Sequence, residues 1–155
     1  MKRIIKIALL VLLAVFIVLQ FIPRDRNEST RDVVNDITKV YPVPANVQVI
    51  LKNSCYDCHS NNTAYPWYAQ IQPMRYLMDG HVRRGKNDLN FNEFGTYSAR
   101  KQRSKLRAIG QSLDESSMPL SSYTFIHRSA ILSKEDKGLL AAWVKQTNDS
   151  LLLKN

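Results

Sequence analysis

The apolar residues of this chain recur at helical intervals, and one stretch is apolar almost throughout. Ile7 to Ile22 is broken only by Gln20. As a helix its sixteen residues rise about 24 Å, a little short of the ~30 Å hydrocarbon core of a bilayer. Lys6 and Arg24 can snorkel to cover the difference. A second stripe, Val47, Ile50 and Leu51, follows Pro44, which suits the first position of a helix. Tyr65-Pro66-Trp67-Tyr68 opens a short helix that restarts at Pro73 and ends before Gly85. Asn90-x-x-Glu93 caps a short turn. A helix over about Ser98 to Leu113 turns Leu106, Ile109 and Leu113 inward. Ser133-Lys134-Glu135-Asp136 starts a last helix with an N-cap and acids in its first turn, and Leu139, Leu140, Trp143 and Val144 form its buried face. That helix is expected to pack against the one leading to residue 55. With only five Gly in 155 residues and no alternating runs, the pattern predicts an all-α chain.

The N-terminal helix has two readings. A cleaved signal peptide has a shorter apolar region and a small-x-small site. Here the run ends Val18-Leu19-Gln20-Phe21-Ile22-Pro23, with bulky residues at those positions, so an uncleaved anchor is favoured. Lys2, Arg3 and Lys6 before the helix place the N-terminus in the cytoplasm and the rest of the chain outside the cytoplasmic membrane, on the periplasmic side. The expected division is an anchor over 1–23, a polar tether over 24–44, a single domain over 45–148 and a tail over 149–155.

Charge sharpens this picture in one place. The net +9 comes from the extreme N-terminus and from residues 83–107, where Arg83, Arg84, Lys86, Arg100, Lys101, Arg103, Lys105 and Arg107 face only Asp88 and Glu93. Nucleic-acid binding would call for aromatics interleaved with the bases, and Tyr97 alone does not supply them. A solvated helix face explains most of the run. Docking of an acidic partner or of anionic lipid is the alternative.

Cys55-Tyr56-Asp57-Cys58-His59 carries the candidate chemistry. C-x-x-C-H is the spacing of c-type haem attachment. On a helix, positions i, i+3 and i+4 share a face, so two thiols can bond to the haem vinyl groups while the imidazole reaches the iron. Three other readings compete. Structural zinc needs about four ligands, and His81 or His127 would have to come from afar. A thioredoxin-like pair wants a preceding strand. A plain disulfide leaves His59 without a role.

Asn53-Ser54-Cys55-Tyr56-Asp57-Cys58-His59-Ser60-Asn61-Asn62-Thr63, then Tyr65-Pro66-Trp67-Tyr68, Leu89-Asn90-Phe91, Met118-Pro119, Ser122-Tyr123-Thr124 and His127 occur in that order. Over roughly residues 45–147 the chain resembles the small bacterial haem-binding-domain family of monohaem c-type cytochromes, often anchored by one N-terminal helix. The resemblance implies one covalent haem c, a helical fold like that of class I cytochromes, and electron transfer rather than enzymatic turnover. It departs from many class I cytochromes at Ser60, where Gly usually follows the haem-ligating His, and it lacks the Gly-Pro that often comes next. The group orienting His59 is then sought in a backbone carbonyl near Tyr65-Pro66. Trp67 and Tyr68 are equally suited to the haem edge and to ordinary core.

The sixth iron position has five candidates: Met118, Met74, Met78, His81 and His127. The resemblance favours Met118, since small cytochromes carry a Met-Pro ligand loop before the last helix, and Pro119 restricts the backbone of Met118. Met74 and Met78, four residues apart, suit core packing, and His127 is the main rival. Alternative functions are a haem sensor or small haem enzyme with a labile sixth ligand, and a non-haem metal or redox module at Cys55 and Cys58.

Overall fold

The computed structural model describes residues 1–24, 26–29 and 33–153, and helices dominate it. The apolar N-terminal run forms α1 (Lys2–Gln20), with no buried residue. It is long and apolar enough to cross a membrane, with mean hydropathy 2.5. Then come α2 (Ile37–Val40), α3 (Ala45–Ser54), α4 (Tyr56–His59) and a 3-10 turn at Trp67–Gln70. α5 (Met74–Asp88) follows, then a 3-10 turn at Phe91–Thr96 and α6 (Ala99–Asp114). The chain closes with α7 (Ser121–Thr124), a 3-10 turn at Arg128–Ala130 and α8 (Lys134–Leu153). No strand occurs among the described residues; Glu28 and Asn62 form an isolated bridge. The all-α expectation holds.

Local chemistry starts the helices where the sequence places them. Ser98 Oγ accepts from the Lys101 amide at the head of α6. At the head of α8, Asp136 donates its amide to Ser133 Oγ while its carboxylate accepts from the Ser133 amide, a reciprocal cap. Asn90 caps the 3-10 turn after α5. α8 lies along α6 and also meets α3, as expected of the helix leading to residue 55. Val47, Leu51, Phe91, Phe94, Leu106, Leu140 and Trp143 close the core between these elements.

Three boundaries differ from expectation. The stretch 24–44 is not a free tether where it is described. Ile37 and Val43 are core residues, and Trp143 Nε1 donates to the Pro42 carbonyl. Further up, Asn27 bonds Ser60, Thr63 and Tyr65. Apolar burial at two positions outweighs the polar composition of the segment. α5 does not stop before Gly85 but runs to Asp88, and this glycine faces α4 at a distance no side chain would allow. α8 continues through the expected tail to Leu153, with Leu151 buried in the core. The remaining tail residues, 154 and 155, and tether residues 25 and 30–32 lie outside the described residues.

Candidate functional site

α3 ends at Ser54, and Cys55 bends the chain (φ −127°, ψ −41°) into the single turn of α4. The amides of Cys58 and His59 both donate to the Cys55 carbonyl, at 3.2 and 3.0 Å. The three motif side chains therefore share one side despite the break between helices. That side is the wall of a cavity of about 430 Å³, within the ~300–1,000 Å³ usual for cofactor clefts. Leu89, Phe91, Ile109, Leu113, Leu132 and Leu140 give it an apolar lining. Arg84 from α5 and Lys105 from α6 also line it.

α5 is pressed against the motif at Gly85. A Cβ built there would lie 2.5 Å from the Cys58 carbonyl oxygen and 3.1 Å from Cys58 Cβ. Only glycine lets the two helices close around this wall of the cavity.

His59 is oriented from the chain that follows α5. Its Nδ1 lies 3.0 Å from the Leu89 carbonyl oxygen. A carbonyl only accepts, so in the neutral ring the proton sits on Nδ1 and the Nε2 lone pair is left for a metal. The carbonyl near Tyr65-Pro66 expected to do this is not the partner; the distant Leu89 is. A hydrogen-bonded clasp fixes that carbonyl. The Asn61 amide donates to Asn92 Oδ1 at 2.7 Å, and Asn90 Nδ2 donates to Asn61 Oδ1 at 2.8 Å. Thr63 Oγ1 donates to the Asp57 carbonyl at 2.6 Å, and Ser60 is sealed beneath, bonded to Asn62. Ser60-Asn61-Asn62-Thr63 and Leu89-Asn90-Phe91 thus hold the His59 ring as one unit. Phe91 also stacks on Tyr56 at 5.1 Å and meets His59 edge-on at 6.2 Å.

The loop bearing Met118 leaves α6 through a helix-terminating turn. Ser116 adopts φ 52°, its amide donates to the Leu113 carbonyl, and the Ser117 amide reaches back to Ser112. The chain is thereby turned so that Met118, Pro119 and Leu120 line the cavity. Of the five side chains weighed for the sixth position, Met118 and His81 line the cavity; Met74, Met78 and His127 do not. Met78 is buried in packing. His127 stacks on Tyr123 (4.2 Å between centroids, 11° between planes), and its Nε2 shares a hydrogen bond with Tyr68. Tyr123 in turn donates to Asp57 Oδ2, and burial together with that carboxylate raises its pKa. Trp67 is exposed and Tyr68 serves His127, so neither belongs to the cavity wall.

Cys55 and Cys58 are both free thiols. Burial, with Cys58 beside it, pushes the Cys55 thiol up to about 12; burial and then Asp57 push Cys58 up to about 11. Thiol–disulfide catalysts work the other way, with depressed thiol pKa values. Among the described residues no three His, Cys, Asp or Glu side chains converge as a metal site.

The donor set fits haem: two thiols, an imidazole with its proton on Nδ1, and a thioether, around a largely apolar cleft that Arg84 and Lys105 line together with Asp57 and Asp88. Sequence reasoning missed Gly85 and the Leu89 carbonyl. The first is a glycine inside a helix-forming run, the second a backbone atom whose partner lies thirty residues away. No curated protein and no solved structure matches the chain. The family model described as "haem-binding domain" matches residues 14–146, most of the chain, including the motif, the clasp and the Met118 loop. This chain belongs to the haem-binding domain family, and it is a haem-binding protein.

Proposed function

We propose that the chain is a membrane-anchored monohaem c-type cytochrome that carries electrons on the outer side of the cytoplasmic membrane. The convergence of Cys55, Cys58, His59 Nε2 and Met118 on one apolar cavity carries this reading. Cys55 and Cys58 would hold the haem through thioether bonds to its two vinyl groups. His59 would offer Nε2 to the iron, its ring held by the Leu89 carbonyl, and Met118 would offer its sulfur from the facing loop. Bound haem supplies a one-electron iron couple. Arg84 and Lys105 offer cations to its two carboxylates, the apolar walls exclude water, and thioether ligation with burial favours a raised potential.

No substrate-converting role is needed for this arrangement, and the partner is a redox protein, with an acidic surface the best match to residues 83–107. The second reading, a sensor or small haem enzyme with a labile sixth position, is favoured by one observation: His81 also lines the cavity and could compete with Met118. One experiment separates them. In the purified protein, the ferric form should show the weak red band of sulfur-to-iron charge transfer, and the reduced form should exclude carbon monoxide. Met118→Ala should lose the band, lower the potential and bind carbon monoxide. Binding of carbon monoxide by reduced wild type would favour the labile site. An unchanged spectrum in Met118→Ala with a changed one in His81→Ala would give the ligand role to His81.

A further inference from the structure

α1 does not end in a loose linker. Gln20 Oε1 accepts from the Gln72 amide at 2.9 Å, and Arg75 donates to the Ile22 carbonyl at 3.2 Å. Arg24 is the pin of the joint. Its side chain is only 8% exposed, pairs with Asp79 at 3.0 Å, donates to the Ala69 carbonyl at 2.8 Å and lies over the Tyr65 ring at 3.8 Å. These contacts fix the domain at the exit of the anchor, through the 3-10 turn at Trp67–Gln70 and the first turns of α5.

Apolar side chains surround that joint and stay largely exposed. Trp67 is 77% exposed, Tyr76 75%, and Ile71 and Leu77 are also exposed. Phe125, 72% exposed, belongs to the loop that the His127–Tyr68 hydrogen bond ties to the same turn. Scattered exposed apolar residues need no explanation. Here they flank the residues that grip the end of a membrane-crossing helix, and Trp and Tyr are the side chains favoured at a membrane–water boundary.

We propose that this face of the haem domain lies in the interfacial layer of the same bilayer that holds α1, with Trp67 inserted among the lipid headgroups. The inference rests on the anchored reading above. It makes the domain a fixed fitting on the membrane surface rather than a head on a leash. The motif then stands within a set distance of the bilayer: Gly85, against Cys58, is at most about 17 Å along α5 from Met74. The cavity is held close to the lipid, within reach of a partner embedded in the same membrane.

The test uses the full-length holoprotein in phosphatidylcholine vesicles, with and without lipids brominated near the top of the acyl chain. Trp67 and the buried Trp143 are the two tryptophans. Bromolipid should quench wild-type emission and leave Trp67→Phe almost unquenched. The paired variant Arg24→Gln/Asp79→Asn should lose much of the quenching while the protein stays in the membrane pellet after alkaline carbonate. Wild type that pellets with the membrane yet is not quenched, or is quenched as strongly in Trp67→Phe, overturns the docking face and leaves the anchor standing. Wild type released by carbonate overturns both.

Discussion

Asp36 is a carboxylate only 3% exposed, satisfied entirely by neutral donors. Its Oδ1 accepts from the Thr38 amide and hydroxyl at 2.8 and 2.6 Å, Asn92 Nδ2 donates to Oδ2 at 2.6 Å, and the Tyr56 hydroxyl donates to both oxygens. Burial and then this carboxylate raise the Tyr56 pKa. The same Asn92 receives the Asn61 amide, so Asp36 is tied to the clasp that aims His59. Asp36→Ala leaves Tyr56 and Asn92 without their acceptor, at about 1–3 kcal/mol for each unsatisfied buried group. Denaturant unfolding should show a loss of about 3 kcal/mol, with Asp36→Asn losing less; a loss under about 0.5 kcal/mol would mean that water replaces the carboxylate freely. Nothing near Asp36 in the sequence announces this, since it sits in a stretch whose polar composition suits a tether. The spacing of Cys55, Cys58 and His59 singled them out, and the fold brings all three to one cavity wall. The Leu89 carbonyl was not legible, because every residue has a carbonyl and only the fold selects one.

At the scale of elements, the contact of α5 with α4 decides the shape of the site. Gly85→Ala forces a methyl group against the Cys58 backbone, which cannot give way as a flexible side chain would. Overpacking of this kind costs about 1–3 kcal/mol, and haem loading should fall with it. Gly138 in α8 is the control, with nothing within 4 Å of an added Cβ. Gly138→Ala should be neutral or stabilising by up to about 1 kcal/mol through helix propensity. Equal melting shifts for the two variants would remove the special role of Gly85. The helices themselves were readable, since Ser133 caps where a cap was expected, α6 starts just after Ser98, and the stripes of α3, α6 and α8 pack into the core. What the pattern could not supply is which helix touches which. The end of α5 was placed too early for that reason: Gly85 looked like a terminator and is instead a point of close approach.

The whole molecule combines an N-terminal helix apolar enough to cross a membrane with an uneven charge. Arg84 and Lys105 line the cavity, and under the proposed function they would face the two haem carboxylates. Arg103 and Arg107 do not line it, and under the proposed function they would steer an acidic redox partner. Reversing both, Arg103→Glu with Arg107→Glu, should slow association with that partner by about 10-fold at low ionic strength. The difference should shrink as salt screens it. Equal rates at low salt would make these arginines ordinary solvated surface. The central claim is the covalent bond between haem and Cys55 and Cys58, and extraction of the denatured protein with acidified organic solvent tests it most directly. The haem should stay with the polypeptide, and Cys55→Ser/Cys58→Ser should release whatever haem it retains. Quantitative passage of haem from the wild-type protein into the solvent would contradict c-type attachment and leave a non-covalent haem protein in its place.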